Sequence, residues 1–180
     1  MVCPRCVAAV KETLGNLGIP YSEVVLGRVS LDIETKSIDM DLLDLELRKI
    51  GFELIRDKKD ILVSQVKALI VNYIHHSGET DMKINFSDYI TSKVGKDYSA
   101  ISKLFSEREN TTIEKYIIAQ KIERVKELLS YDDLTLSEIS YQMGYSSVQH
   151  LSGQFKKLVG KTPSQYKKQG VHSRKNLDSV

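Results

Sequence analysis

Long apolar runs are missing from this 180-residue chain. No stretch reaches the roughly eighteen consecutive apolar residues of a membrane-spanning helix, and the run 6–10 is too brief for a secretory signal core. A cytoplasmic protein with no membrane contact is therefore expected. Cysteine is scarce: Cys3 and Cys6 are the only two. Two residues apart, they exclude a disulfide framework and suit a metal pair or a redox pair. Charge of one sign is also lacking, with 26 Lys+Arg against 24 Asp+Glu, so net charge alone does not announce a polyanion as partner. Only three prolines occur, and no Pro-rich or Gly/Ser-rich linker separates one part from another. No nucleophile, base and carboxylate grouping, phosphate-binding glycine loop or metalloprotease motif is present. An enzyme is not expected.

What is there points to two small domains. Residues 1–60 carry nine Lys+Arg against eleven Asp+Glu, whereas 61–180 carry seventeen against thirteen, the excess lying mostly beyond residue 150. In the first part, Val7, Val10, Leu14 and Leu17 recur at helical spacing, predicting a helix over 5–17. Strands are expected over 21–26 and 28–33, turning at Gly27. Asp39 or Asp41 caps a second helix with Leu43, Leu47 and Ile50 as its buried stripe and Gly51 as its stop, and 52–55 is short enough for a last strand. That order is a ferredoxin-like βαββαβ module, α+β in class, lacking its first strand. It occupies 1–58, and the charged stretch 56–60 links it to an all-α domain over 61–169. Helices are expected there over 61–74, 86–94, 98–108, 113–129, 136–143, 148–159 and 163–168. The polar, aperiodic tail 170–180 is expected to be disordered.

The all-α part repeats itself with a period of about fifty residues. Ile90, Val94-Gly95, Ile101, Phe105, Thr112 and Tyr116 in one copy match Ile139, Met143-Gly144, Leu151, Phe155, Thr162 and Tyr166 in the other. The apolar pairs bury a short helix, the glycine permits a left-handed turn, and Asp97 or Ser147 caps the helix that follows. Ile101/Phe105 and Leu151/Phe155 anchor those second helices. Ser99, Ser102 and Lys103 are left on one outward face, and Gln149, His150 and Gly153 on the other. Short helix, glycine turn and capped helix is the helix-turn-helix pattern. The helix between the copies, with Ile118, Ile122, Val125 and Leu129 as its core stripe, is long enough to hold two reading helices about one DNA turn apart.

The run from Lys121 through Leu136-Ser-Glu-Ile-Ser-Tyr-Gln-Met-Gly-Tyr145 and His150-Leu-Ser-Gly-Gln-Phe-Lys-Lys157 to Gly160-Lys-Thr-Pro-Ser-Gln-Tyr166 resembles the AraC/XylS family of bacterial transcription regulators. The resemblance spans about residues 61–169. It implies a seven-helix domain with two helix-turn-helix units joined by a long helix, each reading helix entering a major groove of double-stranded DNA. Carried over by position, the base-reading candidates are Ser99, Ser102 and Lys103, then Gln149, His150 and Gly153, the last standing where the family often has a basic residue. Lys156 and Lys157 are candidates for the phosphate backbone, and Lys161, Lys167 and Lys168 extend the same basic end.

Met1-Val-Cys-Pro-Arg-Cys6, leading into an amphipathic helix, resembles the loop of heavy-metal-associated domains. That resemblance implies a soft ion such as Cu(I), or Zn(II) with further ligands, at Cys3 and Cys6. Only Met1 and Val2 precede Cys3, so the strand that supports such a loop is missing from this sequence. The same motif looks like a glutaredoxin site, which leaves a thiol oxidoreductase or metal carrier as rival classes. A protein-interaction module that does not bind DNA is a third. His75 and His76 are either ligands or surface residues. As a regulator, the protein is expected to use its first module as a metal-responsive sensor or to form a homodimer.

Overall fold

A computed structural model describes residues 1–77, 85–131 and 133–168. The chain folds as two compact units, 1–72 and 73–180.

The first unit opens with helix α1 (Pro4–Asn16), which Pro4 starts at a position where its missing N–H costs nothing. A hairpin follows, β1 (Tyr21–Val25) antiparallel to β2 (Arg28–Leu31), then α2 (Met40–Lys49). Asp39 caps α2 by accepting from the amides of Asp41 and Leu42. Val10, Leu14, Val24, Leu43 and Leu47 form the core, with Phe52 and Leu54 packed against it.

Three expectations change here. Residues 52–55 are not a strand, and the only sheet among the described residues has two strands. The Leu54 amide instead donates to the Asp44 carboxylate at 2.8 Å, and Arg56 pairs with Asp41 at 2.7 Å. The segment is thus tied to α2 by side chains while its apolar residues still serve the core. The ferredoxin-like sheet expected over 1–58 is not found among the described residues, whose element order is α-β-β-α. Ile50 and Ile33 lie beyond the ends of α2 and β2 and are exposed rather than buried.

The charged stretch 56–60 is the capped start of α3 (Lys58–Val71), in which Asp57 accepts from the amides of Lys59 and Asp60. Gly27, at φ +76° in the hairpin turn, sits so close to α3 that a Cβ there would meet the Ala68 Cβ at 3.4 Å. The two compact units divide between Asn72 and Tyr73. A single π-helical turn, Asn72–His76, follows α3.

The second unit contains α4 (Phe86–Val94), α5 (Tyr98–Glu109), α6 (Ile113–Tyr131), α7 (Leu136–Gln142), α8 (Val148–Val159) and α9 (Pro163–Lys168). Every helix read from periodicity beyond residue 85 is present within two residues of its expected ends. Helix α6, about 28 Å long by its 19 residues, packs against α5, α7, α8 and α9. It is buried on more than one face: Ile113, Tyr116, Ile117, Ile122, Val125, Leu128 and Leu129 are all interior, a wider contact surface than the single stripe through Ile118, which is only half-buried. The tail 170–180 lies outside the described residues.

Candidate nucleic-acid interface

The two copies of the repeat fold alike. In the first, Gly95 closes α4 in the left-handed region at φ 67°, its N–H donating to Thr91 O. Asp97 then caps α5 by accepting from the amides of Ser99 and Ala100. In the second, Gly144 turns at φ 70°, and Ser147 caps α8 by accepting from the His150 amide. Ile90, Ile101 and Phe105 are fully interior, as are Ile139, Met143, Leu151 and Phe155. Each reading helix is locked to the following element by an edge-on aromatic pair, Phe105 with Tyr116 at 5.6 Å between centroids and Phe155 with Tyr166 at 5.5 Å. The repeated threonines act alike too. Thr112 Oγ1 accepts from the Lys115 amide, and Thr162 Oγ1 from the Gln165 amide.

Anchored in this way, α5 and α8 each turn one face outward. On α5, Ser99 and Lys103 are exposed and Ser102 is half-buried. The Ser99 hydroxyl donates to Asp97 at 2.7 Å, so it meets a partner as an acceptor. Hydrogen bonds from the Ser99 side chain and the Ala100 amide hold the Asp97 carboxyl below its ordinary range. On α8, Gln149, His150, Gly153, Lys156 and Lys157 are all exposed. His150 Nδ1 lies 3.2 Å from Ser146 Oγ and the ring stands edge-on to Tyr145 at 5.4 Å. The imidazole is thereby oriented, with Nε2 as its other polar atom. A Cβ at Gly153 would meet nothing within 4 Å, so the outward face of α8 is open at its centre.

Three side chains that sequence reasoning passed over hold this arrangement. Lys121, on α6, donates to the Met143 carbonyl at 2.6 Å, where α7 ends. Its ammonium lies 5.6 Å from the Tyr145 ring centroid and 6.0 Å from that of Phe86, within cation–π range. Burial pushes its pKa down. The cation therefore joins the start of α4 to the turn before α8. Tyr98 donates to Glu114 at 2.8 Å, tying the start of α5 to α6, and burial followed by that carboxylate pushes the phenol up to about 12. Tyr145 is likewise pushed up to about 12 by burial. A lysine or tyrosine on a helix carries no periodic signal of such a role.

The His75 ring is enclosed, with Nε2 3.0 Å from Gln120 Oε1, and Gln120 in turn donates to the Tyr116 hydroxyl at 3.1 Å. Cys3 and Cys6 lie together at the start of α1 with their sulfurs 3.3 Å apart. Burial alone would raise the Cys6 thiol, but hydrogen bonds from the Val2 backbone and from Cys3 outweigh it and hold the pKa below the usual value. Among the described residues no group of three or more His, Cys, Asp or Glu side chains is placed to hold a metal ion, and no helix is long and apolar enough to cross a membrane.

Residues 90–169 match a family model described as a helix-turn-helix domain. The chain is also similar to curated proteins. The xylose operon regulatory protein of Escherichia coli is 33% identical over 97 residues, 54% of this chain and 24% of that protein. The Msm operon regulatory protein of Streptococcus mutans is 31% identical over 107 residues, 59% and 36%. A Haemophilus influenzae xylose operon regulatory protein is 30% identical over 190 aligned positions, 92% and 47%. The chain thus spans between about a quarter and a half of the length of these relatives. Among solved structures, a Chromobacterium violaceum transcriptional regulator with an AraC-type DNA-binding domain matches with a TM-score of 0.51 at 22% identity, over 61% of this chain and 96% of that one. A DNA-binding transcriptional dual regulator from E. coli matches with a TM-score of 0.53 at 19% identity, over 66% and 97%. The fold of the second unit is the AraC-type arrangement that the sequence motifs resemble.

Proposed function

We propose that the protein is a sequence-specific, double-stranded-DNA-binding transcription regulator in which α5 and α8 each enter a major groove. The observation that carries this reading is the repeated geometry itself: two capped helices, each fixed by the same glycine turn and Phe–Tyr lock, joined to one long helix. Base choice is assigned to Ser99, Ser102 and Lys103 on α5 and to Gln149 and His150 on α8, because side chains at base edges carry specificity, and Gly153 adds only close backbone approach on the same face. Lys156 and Lys157 are assigned to phosphates, which position a protein without reading sequence. Charge favours this division: residues 139–168 contain five lysines and no acidic residue, so nothing on that side repels a phosphate backbone. The first unit, with its slight acidic excess over residues 1–60, is assigned sensing or self-association rather than DNA contact.

The test is selection of bound sequences from a random duplex pool, followed by titration of the selected duplex against salt. Each phosphate neutralised by a lysine releases counterions, so log affinity should fall linearly with log salt. A flat response, or a pool that stays random, would sink the reading and leave a protein-interaction module.

A further inference from the structure

We propose that Cys3 and Cys6 form a reversible dithiol switch, closing to an intramolecular disulfide by exchange with a small-molecule disulfide, rather than a resident metal site. The motif's resemblance to a metal-binding loop invites the opposite assignment, and the donor set disfavours it. Two thiolates on one tetrahedral zinc, each at about 2.3 Å from the ion, stand about 3.8 Å apart, and a linear ion holding two thiolates separates them further. The sulfurs here are 3.3 Å apart, one thiol donating to the other. From there the sulfurs close to a disulfide of about 2.05 Å along the line they already share. Zinc would also require further donors, and the described residues place no third Cys, His, Asp or Glu with the pair.

The backbone holds the two residues in register for that bond. Cys3 is the N-cap of α1 in extended conformation, and the Cys6 amide donates to the Cys3 carbonyl at 3.0 Å, closing the first turn. Pro4 stands between them with its φ fixed by its ring. Neither cysteine belongs to the apolar core of the unit, and both are only part-covered, so a reagent reaches them without unfolding α1. The exchange proceeds in two steps. The thiolate of one cysteine attacks the small disulfide R–S–S–R, forming a mixed disulfide and releasing one R–S⁻, which takes up a proton. The second cysteine loses its proton and attacks the protein sulfur of the mixed disulfide, forming the Cys3–Cys6 bond and releasing the second R–S⁻. Two protein thiols are oxidised by two electrons, and one small disulfide is reduced to two thiols.

The experiment uses the full chain, treated with a chelator and then equilibrated in glutathione buffers of graded redox ratio. Thiols are trapped by acid and alkylated, and the intact mass is read. With only two cysteines in the chain, the count is unambiguous. The expected result is a protein carrying either two alkyl groups or none, the two states exchanging in a single two-electron transition. Cys3→Ser and Cys6→Ser should each accumulate a stable mixed disulfide with glutathione on the remaining cysteine. Stable glutathione adducts on the wild type, or thiols that stay reduced across the series, would overturn the proposal. So would a stoichiometric soft metal, retained before chelation, that alone blocks oxidation. DNA binding enters none of these readouts, so the outcome is independent of the function proposed above.

Discussion

At Gly153 the outward face of α8 carries only a hydrogen atom, and a mid-helix glycine costs roughly 1 kcal/mol relative to alanine. Since a Cβ meets nothing within 4 Å, Gly153→Ala should stabilise the protein by up to about 1 kcal/mol, read by denaturant unfolding. Gly153→Arg places a cation on the same face and should tighten duplex binding at low salt while steepening the salt slope by about one. No change in slope would mean that this position faces away from phosphate. The neighbouring exposed residues divide in kind. Gln149→Ala or His150→Ala should cost about 1–3 kcal/mol on the preferred duplex and relax base choice there. Lys156→Ala or Lys157→Ala should instead weaken all duplexes alike. Binding measured on matched and mismatched duplexes separates the two classes, and identical behaviour would show that the reading face has been misassigned.

At the scale of the helix, caps and one buried cation decide how the reading helices are held. Asp97 caps α5, and Glu138 completes a capping box with Thr135 at the start of α7. Hydrogen bonds from Ser99 and Ala100 lower the first carboxyl, and the Thr135 side chain and amide lower the second. A carboxyl lowered on folding contributes stability above its unfolded pKa, near 4, and loses it as pH falls through the folded value. Asp97→Asn and Glu138→Gln should therefore melt below the wild type at pH 7, and the gap should close as pH drops below about 4. A gap that persists in acid would assign the loss to shape rather than charge. Lys121 acts at the same scale, because its bond to the Met143 carbonyl and its place by Phe86 and Tyr145 join the two halves of the domain. Lys121→Met should leave affinity for a duplex carrying one half-site nearly unchanged and lower affinity for the two-site duplex about tenfold or more. Lys121→Arg should restore it. Equal losses on both duplexes would make Lys121 a general packing residue.

Across the whole molecule, legibility in the sequence tracked repetition. Ile90 to Tyr116 and Ile139 to Tyr166 say the same thing twice, so the helices and the Asp97 and Ser147 caps of the second unit are legible from sequence, whereas the Phe–Tyr locks emerge only in the fold. The first unit has no second copy to check against. Phe52 and Leu54 looked like a strand because apolar alternation reports which side chains are buried, and they are half-buried against the core. It does not report where the backbone amides go, and the Asp44 carboxylate took the one that a strand would have paired. Charge at 56–60 marks a solvated helix start as readily as a linker, and here it is the capped start of α3. Lys121 was visible as a letter, but its partner Met143 is 22 positions away in sequence.

Because α6 packs against α5, α7, α8 and α9, both reading heads share one spine, and neither can open alone without stripping a face of that helix. Local opening should therefore be suppressed at the centre of the domain and confined to its outer turns. Amide hydrogen exchange followed through the full chain should find the slowest-exchanging amides along Ile117 to Leu128, with α5 and α8 losing protection together as denaturant rises. Two separate exchange transitions, one for each head, would mean that the spine divides near its middle and that the heads unfold as separate cooperative bodies.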